Sequence, residues 1–177
     1  FREKIKIKLH LYEVLLSKEK KEEYYRILKD IFINEKNSLE RSDLYSLHNI
    51  LQSYCVYQSY YNSQSYVKER FELFKICISE KLYAATEHIY FDDLMFGNIV
   101  NTGTSVKDLI WTESFIEQYK NAIAPDNADV VVTYSYARLQ FAKGNFEKAL
   151  WYLNSIKTIK HIQYKLTVRD LTLICYY

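Results

Sequence analysis

Between Tyr134 and Leu153 the chain reads Tyr-Ser-Tyr-Ala-Arg-Leu-Gln-Phe-Ala-Lys-Gly-Asn-Phe-Glu-Lys-Ala-Leu-Trp-Tyr-Leu. This is one helical stretch, a tight turn at Gly144-Asn145, and a second helical stretch folded back along the first. Ala137 and Ala149 fall where two such helices must approach closely, and a methyl group permits that approach. A helix pair of this kind cannot bury both of its faces alone, so the rest of the chain has to supply neighbours of similar shape.

The remaining sequence follows the same plan. Three Gly and one Pro in 177 residues leave few backbone breaks, which favours long helices joined by short connections. Residues 2–17 place Ile5, Leu9, Tyr12 and Leu16 at helical steps; Ile5–Leu11 also alternates as a strand would, but the pattern continues to Leu16 without a breaker. Ser17 is expected to cap a second helix that runs to about Asn34, with Tyr25, Leu28, Ile31 and Phe32 on one face. A polar connection over 35–43, with Ser42 or Asp43 as cap, leads into a helix ending near Tyr61. Asn62-Ser-Gln-Ser65 turns the chain into a helix carrying Val67, Phe71, Phe74 and Ile78. Another helix is expected over about 88–102, then a turn at Thr102-Gly-Thr-Ser105, then a return helix from Val106 to Ile123. Pro125-Asp-Asn-Ala-Asp129 is the clearest break, with Asp126, Asn127 or Asp129 placed to cap the helix that follows. A last helix spans about Ile162 to Tyr177.

Turns at Asn62, Gly103 and Gly144 are spaced by 103−62 = 41 and 144−103 = 41 residues. The fold class implied is all-α: an α-α superhelix, or solenoid, of about four and a half antiparallel helix pairs with a period near 40 residues. One helical-repeat domain is expected over residues 1–177. The start at Phe1 without Met and the apolar close at Leu171–Tyr177 mark it as a piece of a longer chain, with open repeat ends through which it could self-associate.

Composition narrows the function classes. With 49% hydrophobic and 26% charged residues the chain is globular, and its net charge of +2 offers no electrostatic case for nucleic acid or an anionic membrane. No run approaches the roughly 18 apolar residues of a membrane helix. Cys55, Cys77 and Cys175 lie far apart among apolar neighbours, as small core residues of a reducing, cytoplasmic compartment would. Catalytic, cofactor and metal patterns are not found. His10, His48, His88 and His161 stand alone, as do Gly97, Gly103 and Gly144, and neighbouring carboxylates such as Asp92-Asp93 point about 100° apart on a helix. Asp92-Asp93 is read as exposed helix surface.

Pro125–Ile156, through Ala137 and Gly144-Asn-Phe146-Glu-Lys-Ala149-Leu150, resembles a tetratricopeptide repeat, and the arrangement is similar to helical regions of Bacteroidetes proteins. The resemblance implies that Gly144 permits the turn, that Phe146 packs between the helices, and that Ala137, Ala149 and Leu153 let the pair close. It also implies a concave groove for an extended peptide, lined by first helices. Val131, Tyr134, Arg138 and Phe141 share one stripe of the best-matched first helix, with Arg138 able to hold a carboxylate, while Asn98 and Asn101 on the preceding pair offer amide groups. Core packing is the other use for Tyr134 and Phe141, and for the stripe Tyr54, Tyr57, Tyr61. The expected function is a non-catalytic protein- or peptide-binding scaffold; the alternative is a sensor or regulatory helical segment of a larger signalling or transcription-regulating protein.

Overall fold

The computed structural model describes residues 2–61, 64–84, 90–157, 159 and 162–177. Among them are nine α-helices, three short 3-10 segments and no strand. The chain divides into two compact units, Phe1–Glu87 and His88–Tyr177.

Unit 1 stacks four helices in sequence: α1 (Arg2–Glu19) on α2 (Glu22–Asn34), α2 on α3 (Arg41–Tyr61), and α3 on α4 (Gln64–Ser79). Their buried stripes are those the periodicity marks, with Ile5, Leu9 and Leu16 on α1, and Tyr25, Leu28, Ile31 and Phe32 on α2. Leu47, Leu51 and Cys55 are buried on α3, and Phe71, Leu73, Phe74 and Cys77 on α4, which packs against it. Two expected caps are corrected. Ser17 stays inside α1, where its hydroxyl donates to the Val14 carbonyl at 2.8 Å, and the chain breaks instead at Lys20 (φ 53°) before Lys21 opens α2. Ser42 and Asp43 lie within the first turn of α3, which begins earlier because Leu44 N–H already bonds the Glu40 carbonyl. The expected turn at Asn62 lies outside the described residues.

In unit 2, α5 (Asp93–Ser105) packs on α6 (Leu109–Tyr119), and α8 (Phe146–Ser155) packs on α9 (Ile162–Tyr176). The helix α7 (Pro125–Ala142) is central and touches all four of the others. Phe91 N–H donates to the Ala122 carbonyl at 2.8 Å, and Phe91 forms a parallel bridge with Ile123. The segments entering α5 and α7 therefore run side by side in one direction, so these two helices leave the bridge together.

Gly103 is not a turn. It is buried inside α5, where Thr102 donates to the Asn98 carbonyl (2.6 Å) and Thr104 and Ser105 donate to the Asn101 carbonyl (3.0 and 2.7 Å). Hydroxyls satisfied by their own helix let it run on through these residues. The chain turns at Lys107 (φ 66°), and Asp108 caps α6 by accepting the Trp111 N–H. Lys107 N–H bonds the Thr104 carbonyl and Asp108 N–H the Gly103 carbonyl; at the next turn Gly144 N–H bonds Phe141 and Asn145 N–H bonds Gln140. Both are the same helix-ending motif with its left-handed residue one past the cap. The turn spacing in this unit is thus 144−107 = 37, not 41, and the first helices start 125−93 = 32 residues apart. The N-cap position of α7 is held by Ala124, which has no capping side chain, and not by Asp126, Asn127 or Asp129 as expected. Pro125 is its first residue, suited to that place because it has no N–H to leave unpaired.

Candidate functional site

The segments that open α5 and α7 run side by side, and polar side chains tie the two helix starts together. Asn127 Nδ2 donates to Asp93 Oδ2 at 3.0 Å, and Tyr164 OH donates to the Asp93 carbonyl at 3.2 Å, so the opening of α5 is tied to both α7 and α9. From that tie, Asn101 is 101−93 = 8 residues along α5 and Arg138 is 138−127 = 11 along α7. At 1.5 Å per residue the two differ in height by about 4.5 Å, roughly one helical turn. Each carries an enclosed polar atom with no partner, an acceptor at Asn101 Oδ1 and a donor at Arg138 Nε. Both residues remain partly exposed, and Asn98, one turn before Asn101, is exposed. The Arg138 guanidinium lies 5.8 Å from the centre of the Phe141 ring.

The rest of the expected groove stripe is core. Val131 is 1% exposed, and Tyr134 is buried with Ala137, Leu153 and Leu171. Because α9 brings Leu171 over this face of α7, the apolar part of the stripe is covered and is removed from the groove. Burial raises the Tyr134 phenol pKa, with Arg138 opposing and Asp170 adding to the effect. Phe141 is half-buried against Phe146, whose ring is 5.4 Å away. Phe146, which opens α8, thus touches the other helix of the hairpin and is 49% exposed. Ala137, Ala149 and Leu153 are buried, and Gly144 adopts φ 81°. Asp92 is a cap, accepting the Met95 N–H at 2.6 Å, and not a plain surface residue.

Unit 1 holds polar groups in its core. Tyr25 stacks on Tyr54 with ring centres 4.6 Å apart, and Tyr66 stands edge-on to both. Tyr25 OH donates to Glu69 (2.7 Å), which also pairs with Lys29, and burial pushes the Tyr25 phenol far above its ordinary pKa. Tyr57 is exposed, with Lys20 5.9 Å from its ring; the Tyr61 side chain lies outside the described residues. His48 is fully buried between Phe32 and Phe74. Gln52 Nε2 donates to His48 Nε2 (3.2 Å), which puts the imidazole proton on Nδ1, and Nδ1 has no partner. Gln52 also donates to the Arg70 carbonyl and accepts from Arg70 Nε at 2.9 Å. Burial, assisted by the Arg70 charge, pulls the His48 pKa down to about 4, so the ring is neutral near pH 7. Gln52, four residues on, was the available sequence signal for this pair.

A cleft of about 240 Å³ opens where the end of α2, the 3-10 segment Lys36–Ser38, the start of α3 and the end of α4 meet. Phe32, Leu39, Leu44, Ile76 and Leu82 form its apolar lining, and Lys36, Asn37, Arg41 and Glu80 its polar rim. Arg41 Nη2 donates to the Lys81 carbonyl at 2.7 Å, and Lys36 pairs with Glu80. Nothing in the sequence pointed to it, since four separate segments supply its walls.

Among the described residues no three His, Cys, Asp or Glu side chains gather as a metal-binding group, and no helix is long and apolar enough to cross a membrane. Cys55 and Cys77 are free and buried, and burial lifts their thiols to about 11 and about 12, well above where a reactive thiolate forms. His10 is exposed, while His88 and His161 lie outside the described residues. No family model matches the chain, and no curated protein or solved structure matches it.

Proposed function

We propose that this chain is a non-catalytic scaffold that binds a protein or peptide, built from tetratricopeptide-like helix pairs arranged as a solenoid. The support for this reading is Asn101 and Arg138, an enclosed acceptor and an enclosed donor without hydrogen-bond partners, carried by the two first helices α5 and α7. An extended peptide offers one N–H and one C=O per residue, the complement of that pair. An enclosed polar group without a partner is unfavourable by about 1–3 kcal/mol, so a ligand that engages both atoms gains on two counts. Both side chains are partly exposed and can swing toward a ligand. The remaining N–H groups of Arg138 suit a side-chain carboxylate, and Asn98 extends the polar row along α5. With Val131 and Tyr134 in the core, the proposed groove consists of Asn98, Asn101 and Arg138, edged by Phe141. Exposed Leu166, Leu173 and Ile174 on α9 support self-association as a second mode of contact.

The test begins with selection of a displayed random peptide library on the immobilised protein. Selected peptides are then titrated by fluorescence anisotropy against wild type, Asn101→Ala and Arg138→Glu. Both variants should weaken binding by about tenfold or more while keeping the wild-type circular dichroism melt. Unchanged affinity in both, with the fold intact, overturns the proposed groove.

A further inference from the structure

The cleft belongs to unit 1 and the proposed peptide face to unit 2, and the chemistry of the cleft is different. At about 240 Å³ it lies just below the roughly 300 Å³ at which drug-sized pockets begin. Divided by the roughly 30 Å³ that a water-sized group occupies, it has room for about eight such groups. Five apolar and four polar side chains line it, so an occupant would have to be amphipathic. The charges of the rim are unequal, with Lys36 and Arg41 against Glu80 alone. Glu40 and Asp43, the other carboxylates nearby, are directed at Lys6 on α1, at 2.8 and 3.3 Å. The rim is therefore left with an excess of positive charge. Neither cation is locked in place. The Lys36–Glu80 pair is about 40% exposed on both sides, and exposed pairs of this kind contribute only about 0–1 kcal/mol. Arg41 uses one Nη to hold the Lys81 carbonyl, which leaves the rest of its five-donor fork at the rim. The start of α3, at the same edge, adds the positive end of its helix dipole.

We propose that this cleft binds a small amphipathic monocarboxylate, a medium-length acyl chain lying on Phe32, Leu39 and Ile76 with its carboxylate at Arg41 and Lys36. Two chemistries could supply that group, a free carboxylic acid and the C-terminal residue of a peptide. The small volume fits the free acid, which brings no further backbone to be accommodated.

Isothermal titration calorimetry on the whole chain tests the assignment with octanoate, octanamide and octylamine as probes, beside a tetrapeptide ending in Leu with its terminus free or amidated. Octanoate should bind with a Kd below about 1 mM, octanamide about tenfold more weakly, and octylamine not measurably. Arg41→Gln should weaken octanoate by about tenfold and leave octanamide unchanged, since only the former presents a charge. Filling the cleft with Ile76→Trp, or with Leu39→Trp if the first variant does not fold, should abolish both. Equal affinity for octanoate and octanamide, or binding of octanoate that survives a filled cleft, overturns the proposal. Tighter binding of the free-terminus tetrapeptide than of octanoate overturns the assignment to a free acid.

Discussion

Unit 2 is positioned by its backbone: the Phe91–Ile123 bridge sets two helices side by side, and one turn motif is used at both Lys107 and Gly144. Unit 1 also ends helices with left-handed residues, Lys20 and Lys81, but shows no such bridge among its described residues and is cross-linked through polar side chains, His48 to Gln52 to Arg70 and Tyr25 to Glu69 to Lys29. The contrast matters because the two kinds of restraint answer to different perturbations. Backbone conformation is indifferent to protonation and sensitive to glycine, whereas a buried imidazole is sensitive to pH and indifferent to local backbone preference.

Acid should separate the units most strongly. The folded pKa of His48, about 4, is below the roughly 6.5 of an exposed imidazole, so the unfolded chain takes up the proton more readily. The stability tied to the neutral ring is complete above about pH 6.5 and is lost as pH falls toward 4, to a total of about 3 kcal/mol. Trp111 and Trp151 both belong to unit 2, so urea titrations followed by tryptophan fluorescence report that unit, while far-ultraviolet circular dichroism reports both. Between pH 7.5 and 4.5 the dichroism midpoint should fall further than the fluorescence midpoint; a parallel fall of both erases the distinction. His48→Leu should remove most of that extra acid sensitivity, and at pH 7 should shift stability by less than about 1.5 kcal/mol because Gln52 loses one acceptor but keeps its bond to the Arg70 carbonyl. Persistence of the acid-sensitive step in this variant assigns it to another group.

The next effects lie in unit 2 and should not depend on pH. Gly144→Ala forces a side chain into φ 81° and should lower stability by about 1–2 kcal/mol in the fluorescence-detected transition. Gly97→Ala, within α5 where an added Cβ meets nothing within 4 Å, should raise it by about 0.8 kcal/mol. Lys107→Gly should raise it by about 0.5 kcal/mol, as relief of the left-handed strain is partly offset by the greater freedom of glycine in the unfolded chain. If Lys107→Gly lowers stability instead, the lysine side chain makes a contact that outweighs its conformation.

The paired turns also explain what the sequence reveals and what it conceals. Gly144 announces its turn because glycine is the residue that favours a left-handed backbone. Lys107 adopts nearly the same conformation with no comparable mark, and Gly103, four residues earlier, draws attention to a place where the helix simply continues. A period of 41 read from glycines therefore becomes 37 in the folded unit. The apolar face of α2 is legible because four buried residues at helical spacing have one interpretation. On α4, Phe71 and Phe74 are buried as expected, but Leu73 and Cys77, not Val67 and Ile78, complete the buried set. Tyr134 and Arg138 are less legible, since one stripe serves a groove or a core equally well. The choice between them is made by Leu171 on α9, more than thirty residues downstream. The cleft at Arg41 depends on four chain segments and has no local signature at all.

Among the described residues, the three non-glycine residues with left-handed backbone, Lys20, Lys81 and Lys107, are exposed lysines just beyond the ends of helices. A cation there complements the negative end of the helix it follows, which is a physical reason for the choice. It also marks the chain with cutting points for trypsin at junctions rather than within helices, where cleavage first requires local unwinding. Brief digestion would release whole helices and helix pairs with intact ends, so the protease map of this protein should follow its architecture.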